Sequence, residues 1–305
     1  MKYRIQFYLL LFFRQLLLWL PEKTRFAFGN FLGKAAYYLI SSRRQTTLWN
    51  LQLAFPEKTE EERKKIAVHS YQIMTKYFLS TLWYDSYLQE KVHIYNQSSM
   101  KKAYWKGRGV MAAVMHMGNM EAAVKAGDGF PIVTVAKDQR NPYLEKFIIE
   151  TRKKNLKLDL LTKSKQTVRQ LQAYQKKEKK YIYALFSDHR DKGAHVHFFG
   201  LETVAPTGAV SLAYKYNMPL FLVYSCLEED NTTSIYISKE IPLIRTENSK
   251  QDILENTQIL IHRMEEAIRK HPEQWMWFHD RWNLYRDFKK EGLLPPFLRE
   301  KNKGE

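Results

Sequence analysis

The sequence predicts an α/β fold in which a largely parallel central sheet is flanked by helices and follows a helical N-terminal region. From residue 108 onwards, short apolar runs alternate with helical stretches, a pattern typical of parallel α/β sheets. The residues before that point show helical spacing instead. With 305 residues, 45% of them hydrophobic, the chain can bury a substantial core.

The formal net charge of +17 is the strongest compositional signal, because it predicts an anionic partner. Nucleic acid, a membrane surface, a phosphorylated substrate and an acidic carrier protein all satisfy it, and charge alone does not choose among them. The single cysteine, Cys226, excludes an internal disulfide framework and a cysteine-based metal site, which is typical of a reducing compartment.

Residues 5–20 are almost wholly apolar, apart from Arg14 and two glutamines. A transmembrane helix needs about 20 mainly apolar residues, so this short and interrupted segment does not specify one, and whether it spans the bilayer or lies flat on it stays open. No small-residue cleavage site follows it. Basic residues on both sides, together with Trp19, Tyr37 and Tyr38, predict a helix that lies in the headgroup region of an anionic leaflet. The alternative is a buried core helix that happens to come first.

We predict two units, with 1–41 as N-terminal membrane-associating helices and 42–305 as the main domain. Within that domain, 42–105 is predicted to be helical and 106–305 to form the α/β core. A basic helix is predicted over 42–56, ended by a proline, and a long helical region over 59–88. The TEEE stretch at 59–62 supplies an N-cap and an acidic first turn for the second of these.

Four apolar runs in the α/β core predict buried strands, at 110–115, 132–136, 181–186 and 220–226. Helical stretches are predicted between and around them, near 119–127, 141–154, 164–177 and 207–216. In open parallel sheets, ligands bind at the C-terminal ends of the strands. Residues that follow these runs are therefore candidates for a functional site.

His116 follows the first apolar run, a turn at Gly118 and Asn119 comes next, and Glu121 lies in a predicted first helical turn. An imidazole oriented by a carboxylate is a ready-made general base. We therefore predict that Glu121 fixes the tautomer of His116, which would deprotonate a hydroxyl. The alternative is a structural histidine whose hydrogen bonds are satisfied at a strand end.

Asp188 ends another predicted strand, and Arg152 lies on the inward side of the helix capped by Asn141, which has Pro142 at its first position. A guanidinium directed toward a core needs a carboxylate or phosphate partner. Asp188 and a bound phosphate are the candidates. The alternative is a snorkelling surface arginine.

Between Arg152 and Lys180 the chain has 11 lysines and arginines against two acids. A charge run is usually a solvated face, but beside the predicted site it also suits a phosphorylated headgroup or an acidic carrier.

Other site classes find less support. His189, His195 and His197 lack the spacing of a zinc site, so we predict neither a metal nor a cofactor. No RRM, helix-turn-helix or zinc-finger signature accompanies the positive charge, so we predict no nucleic-acid partner. The absence of a G-x-S-x-G elbow in the sequence disfavours a serine hydrolase.

Several motifs occur together in an order that resembles the lipid A late acyltransferases, and they cover most of the chain. They are RRQTTLWNLQLAFPE at 43–57, HMGNME with His116 and Glu121 in an H-x4-D/E pattern, the Asn141-Pro142 helix with Arg152 downstream, SDHRDKG with Asp188, FFGLETVAPTGAVSLA at 198–213 and PEQWMWFHDRW at 272–282. The H-x4-E pattern alone is weak, whereas the ordered set is specific.

The resemblance implies a glycerolipid-acyltransferase-like fold and an enzyme at the cytoplasmic side of the inner membrane. It would move a fatty acyl chain from acyl carrier protein to a hydroxyl of a phosphorylated glycolipid, a lipid A precursor. In this hypothesis 42–305 is the acyltransferase domain, His116 takes the acceptor proton and Glu121 orients it. Arg152 and Asp188 would hold substrate or the local loop structure, as the resemblance implies.

Attack of the acceptor oxygen on the thioester would create an oxyanion, and the amides near Gly118 and Asn119 are candidate donors to it.

Two positions depart from the family pattern. Lys137 stands where the family commonly has an arginine, and Asp280 replaces the first arginine of its HRRW segment. Both positions suit headgroup contacts, so Lys137 is a candidate substrate-binding residue, and the departures bear on the acceptor more than on the reaction. Lysine cannot reproduce the bidentate clamp of a guanidinium on phosphate. A lysophospholipid or aminolipid acceptor, or a non-catalytic membrane-docking homologue, are the alternatives.

Overall fold

The computed structural model describes residues 1–107, 109–155, 158–284 and 290–291, and it confirms a mostly parallel central sheet with flanking helices. In that part of the chain the strands are β1 Val92–Tyr95, β2 Val110–Val114, β3 Ile132–Ala136, β4 Leu158–Thr162, β5 Ile182–Phe186, β6 Ala194–Phe198, β7 Leu201–Ala205, β8 Leu220–Leu227 and β9 Thr233–Ile237.

The described α-helices are α1 Lys2–Trp19, α2 Glu22–Leu39, α3 Ser41–Ala54, α4 Glu60–Ser80, α5 Tyr84–Glu90, α6 Gln97–Lys106, α7 Pro142–Asn155, α8 Thr167–Gln175, α9 Gly208–Tyr216 and α10 Ser249–Lys270. Short 3₁₀ helices cover Thr81–Trp83, Ala122–Gly127 and Pro272–Gln274. The predicted caps are present. The Thr59 side chain forms a capping box with Glu62 at the start of α4, and Asn141 Oδ1 accepts from the Tyr143 amide at 3.0 Å at the start of α7.

Seven of the described strands form one sheet in the order β1-β9-β8-β2-β5-β3-β4, and β6 and β7 form a separate antiparallel hairpin. Within the larger sheet only β8 and β9 pair antiparallel. The central strand β2 is buried along its whole length, between β5 and β8. Its register places Val114 opposite Phe186 of β5, so the chain leaves both strands at the same level of the sheet.

Alternate residues of β2 enter two different hydrophobic cores. Met111 and Ala113 pack in a core that includes residues of α9 and α10, whereas Ala112 and Val114 pack in a core with residues of α6 and the Ala122–Gly127 helix. The sheet is therefore the middle layer of three.

The predicted strands agree with the observed ones to within one residue at each end, but β1, β4, β7 and β9 were not predicted from the sequence. β1 lies inside the stretch 42–105 that was predicted to be helical, where it forms an edge of the sheet beside β9. The predicted helix near 119–127 is a 3₁₀ helix, and another 3₁₀ helix interrupts the predicted helix 59–88. Local amino-acid composition does not predict which strands pair in the folded protein.

The second helix packs tightly on α4 through a stripe of Phe26, Gly29, Gly33 and Tyr37. A Cβ at Gly33 would lie 2.5 Å from the Cα of Gln72, so glycine permits the two backbones to approach. Tyr37, predicted to lie at a membrane interface, is instead buried, because its ring packs on that of Tyr71 at a centroid distance of 5.6 Å.

The first helix docks on α7. Phe7 contacts the rings of Tyr143 and Phe147 at centroid distances of 6.0 and 6.1 Å, and the Asn141 side chain donates to the Tyr3 carbonyl at 3.0 Å. In the described part of the chain, no helix combines the length and the hydropathy that crossing a bilayer would require.

Gly33→Ala is expected to destabilise the protein by about 1–3 kcal/mol, because the added methyl group meets the backbone of α4 and cannot be relieved by a side-chain rotation. The matched control is Gly208→Ala, since a Cβ there meets nothing within 4 Å and alanine favours the helix. Urea unfolding of both variants measures the difference. A Gly33→Ala protein as stable as the wild type would contradict the close packing.

Candidate active site

The parallel pairing of β2 and β5 brings His116 and Asp188 together. Each lies two residues beyond the register partners Val114 and Phe186, and the Ser187 amide extends the ladder by donating to the Val114 carbonyl at 3.0 Å. Asp188 Oδ1 lies 2.8 Å from His116 Nδ1, and Asp188 Oδ2 accepts the His116 backbone amide at 2.7 Å. The predicted strand-end location of both residues is therefore observed.

Asp188 is only 2% exposed and has a third donor, the indole Nε1 of Trp275 at 2.8 Å. Burial alone would raise the pKa of Asp188, but the charge of His116 and these hydrogen bonds outweigh it and hold the pKa far below its usual range. The carboxylate is therefore ionised, and as an acceptor it places the imidazole proton on Nδ1. In the neutral form of the imidazole, Nε2 then carries the lone pair that a general base requires.

The His116 ring is also held by packing. It lies against Phe186 at a centroid distance of 4.3 Å, while its side chain stays 23% exposed. The base candidate is thus fixed in orientation and still reachable.

The prediction that Glu121 orients His116 is wrong, because Glu121 binds Arg152 instead. The Arg152 Nε donates to Oε1 of Glu121, and Nη2 donates to Oε2 at 3.0 Å, which makes the pair bidentate. The partner of Arg152 is therefore Glu121 and not Asp188, which was one of the predicted candidates. Arg152 is directed inward as predicted, and the snorkelling alternative does not hold.

The Glu121–Arg152 pair lies beside two buried phenols, Tyr77 and Tyr84. Burial would lower the pKa of Arg152, but the Glu121 carboxylate outweighs it and raises that pKa. Burial also raises the pKa of Tyr77 and Tyr84, so both phenols stay neutral. The ion pair thus lies against two neutral phenols.

The Gly118 amide has a structural contact in place of its predicted role as an oxyanion donor, whereas that role for the Asn119 amide stays a prediction. The Gly118 amide donates to the Gln274 carbonyl at 2.8 Å, so it is not available to substrate. The φ of Gly118 is +57°, and a Cβ there would lie 2.4 Å from the Ser225 carbonyl oxygen. Asn119 is fully buried, and its Oδ1 accepts the Ala122 amide at 3.2 Å.

Three other predicted or considered residues lie apart from the His116–Asp188 pair. Lys137 is exposed just after β3, at the C-terminal edge of the sheet. His195 and His197 are exposed on β6, and His195 Nδ1 contacts Glu202 at 2.8 Å.

The segment 272–282 holds the His116 loop, a role that the sequence reasoning missed. Met117 and Trp275 form a β-bridge, and the Met276 amide donates to the His116 carbonyl at 3.2 Å. The Ser70 hydroxyl of α4 in turn donates to the Trp275 carbonyl at 2.7 Å. The available signal was the density of tryptophans in PEQWMWFHDRW, which indicates burial but names no partner.

A narrow cavity beside His116 is lined by two further histidines, His189 and His279, and by Arg281. Burial lowers the pKa of both histidines and outweighs the Asp188 carboxylate, which raises it, so both are neutral at pH 7.

His116, Asp188 and His189 are the one group in the described residues with three possible metal-ligand atoms, all within 4.8 Å of one another. Both Asp188 oxygens, however, already accept hydrogen bonds from His116 and Trp275. A metal ion would have to replace these bonds, so the arrangement suits proton transfer better than coordination.

Comparisons with known proteins identify relatives of this chain. Residues 1–284 match the family described as bacterial lipid A biosynthesis acyltransferase. The chain is 23% identical over 270 residues to the lipid A biosynthesis palmitoleoyltransferase of Escherichia coli K12, covering 86% of each protein. It is similar to the same extent to a lipid A biosynthesis acyltransferase of Shigella flexneri. It is 24% identical over 131 residues to the Escherichia coli K12 lipid A biosynthesis lauroyltransferase, covering 41% of this chain and 43% of that protein.

The buried histidines predict a loss of stability in mild acid. Their folded-state pKa lies below the ordinary value of 6.5, so below pH 6.5 the unfolded chain binds more protons than the folded one. The free energy of unfolding should therefore fall as the pH drops from 6.5 toward the lowered pKa, by up to about 1.4 kcal/mol per pH unit for each histidine. His279→Gln should reduce this slope in urea unfolding between pH 7 and 5. An unchanged slope would contradict the assignment.

Proposed function

Because the chain belongs to the bacterial lipid A biosynthesis acyltransferase family, we propose that it transfers a fatty acyl chain from an acyl carrier protein thioester to a hydroxyl of a lipid A precursor. The observation that carries the proposal is the oriented pair of His116 and the buried carboxylate Asp188 at the C-terminal edge of the sheet. Such a pair supplies general-base catalysis, which is typically worth about 10²- to 10⁴-fold in rate.

In the proposed reaction, Nε2 of His116 removes the proton of the acceptor hydroxyl while Asp188 stabilises the imidazolium. The alkoxide oxygen attacks the thioester carbonyl carbon, and a carbon–oxygen bond forms in a tetrahedral intermediate. The carbon–sulfur bond then breaks, and the thiolate leaves with the proton that His116 returns. The products are the ester and the free thiol of the carrier, and no redox cofactor or metal is required for the atom balance.

Glu121 enters this proposal as a positioning residue. Its bidentate contact fixes the Arg152 guanidinium, which is the group able to contact an anionic oxygen of the substrate or of the intermediate. Asn119 and Gly118 contribute by holding the turn between His116 and Glu121. Lys137, exposed at the same edge of the sheet, is proposed as a contact for the acceptor headgroup.

The donor is proposed to be acyl carrier protein because the surface following β3 is rich in cations. The exposed lysines of the basic run between Arg152 and Lys180 include Lys165, Lys176, Lys177 and Lys179. Complementary charge of this kind steers an acidic partner and raises its association rate.

Membrane association is proposed from the outer face of α1, which is as apolar as its inner face. Large side chains at the spacing of one helix side are exposed there: Ile5, Tyr8, Leu9, Phe12, Leu16 and Trp19. Arg14, which interrupts the apolar run, donates a hydrogen bond from its Nε to the backbone carbonyl of Leu82 at 2.6 Å. Phe31 and Leu39 of α2 are also exposed. An apolar helix face of this kind suits insertion into the headgroup region, and we propose 1–41 as the membrane-binding unit on the cytoplasmic side of the inner membrane.

The function is tested with the purified full-length chain in mixed micelles, supplied with acyl carrier protein thioester and a phosphorylated lipid A precursor. We expect one added acyl chain in the product by mass spectrometry. Acylation of only lysophospholipid or aminolipid acceptors in parallel reactions would overturn the acceptor assignment, and no product with any acceptor would overturn the enzymatic role.

His116→Ala and Asp188→Asn are each expected to lower kcat by about 10²- to 10⁴-fold, because the first removes the base and the second removes the charge that fixes its tautomer. The matched control, His195→Ala, changes an exposed histidine of β6 and should keep the wild-type rate. Circular dichroism verifies that the variants fold. A folded His116→Ala protein with the wild-type kcat would contradict the mechanism.

Leu9→Asp is expected to weaken binding to vesicles of phosphatidylglycerol and phosphatidylethanolamine by at least about 10-fold, because a side chain 62% exposed in water would lose its burial in lipid. The matched control is Leu254→Asp on α10, which is 41% exposed and outside the α1 patch. Co-sedimentation measures both. Equal binding by the two variants would argue against α1 as the membrane-binding face.

A further inference from the structure

Three segments that are distant in sequence meet in an open pocket of about 330 Å³ next to the active site. The pocket is lined by Arg43 of α3, Arg190 of the loop after β5, and His279, Asp280 and Asn283 of the C-terminal segment. His279 also lines the narrow cavity that contains His116, so the two spaces adjoin. None of these residues has a role in the reaction described above.

The pocket is cationic. Arg43 and Arg190 are both exposed to it, and Arg190 has no ion-pair partner in the part of the chain that the structure describes. Arg43 is positioned by a contact of its Nη1 with the Phe278 carbonyl at 3.4 Å. Asp280 offsets one of the two positive charges. A net positive pocket of this size therefore suits a small anion such as a phosphate ester.

A second, independent observation is the buried guanidinium of Arg281. Arg281 is only 1% exposed, and its Nη1 donates to Thr203 and to the Val204 carbonyl, each at 3.0 Å. Its Nε and Nη2 have no hydrogen-bond partner among the described residues. Arg281 lines the narrow cavity that adjoins the pocket at His279. Unpaired buried donors on a charged group are costly, and an anion bound in the adjoining pocket would lower that cost through its charge.

The cations also act on one another. Arg190 lies close enough to help lower the pKa of Arg281, which burial reduces to about 10 despite the opposing effect of Asp188. Bringing guanidinium groups together without an equal number of carboxylates raises the free energy of the empty pocket. An anion held between them would relieve this repulsion.

We propose that Arg43 and Arg190, backed by Arg281, form a phosphate-binding subsite that places a phosphate ester of a substrate beside His116. The identity of the ligand in this assignment rests on the proposed function. Two substrates of that reaction carry the required group, namely the phosphorylated glycolipid acceptor and the phosphopantetheine arm of the donor. Asn283 and Asp280 would contact hydroxyl or amide groups next to the phosphate.

Binding is tested first, without turnover, by isothermal titration calorimetry of the full chain with inorganic phosphate, glucose 1-phosphate, phosphopantetheine and glucose. We expect the phosphate compounds to bind and glucose not to bind. Arg43→Gln and Arg190→Gln should each weaken binding by about 10- to 100-fold, because each removes charged hydrogen bonds. Arg263→Gln, an equal loss of charge on α10, is the matched control and should leave binding unchanged.

Turnover then distinguishes the two sources. If the subsite holds the acceptor, Arg190→Gln should raise KM about 10-fold for the phosphorylated glycolipid but not for the same acceptor after phosphatase treatment. If it holds the donor, KM should rise for the carrier thioester but not for an acyl-pantetheine that lacks phosphate. Either result supports the subsite.

The proposal is overturned if Arg43→Gln and Arg190→Gln match the wild type both in calorimetry and in both KM values. Phosphate binding that the variants abolish, in a protein without transferase activity, would instead refute the proposed function and leave the subsite standing. Transferase activity with no effect of either variant would refute the subsite alone.

Discussion

The site depends on one carboxylate that is ionised inside the protein. Asp188 is held in that state by three donors, the amide and Nδ1 of His116 and the indole of Trp275, which together overcome the cost of burial. Since a buried charge without such partners is very unfavourable, these elements must be assembled for the fold to tolerate Asp188. The same contacts fix the imidazole, so stability and proposed reactivity have a common origin.

That requirement explains how distant parts of the chain are connected. The C-terminal segment supplies Trp275, and it is fastened to helices of the first third through Ser70 and through Asn50, whose side chain donates to the Trp277 and His279 carbonyls at 2.7 Å. The segment therefore connects the N-terminal helices to the sheet. The motifs at 43–57 and 272–282, which are far apart in the sequence, are thus in direct contact.

The sequence was informative about the elements and less so about their pairing. The strand ends at His116 and Asp188 follow from apolar runs, but the order β2-β5-β3 does not, so the partner 72 residues away was missed and Glu121, five residues away, was chosen. The inward direction of Arg152 followed from helical spacing, whereas its partner required the tertiary structure. The roles of Trp275, His279 and Arg281 depend on contacts that no local pattern encodes.

The docking of α1 on α7 has a mechanical consequence. Phe7 and Asn141 join the helix with the outward apolar face to the helix that ends near Arg152, and Arg152 holds Glu121. These contacts lie in the first turns of α7, so in the proposed membrane-bound state lipid that holds α1 would also restrain that end of α7. A single helix would then connect the membrane surface to the Glu121–Arg152 ion pair.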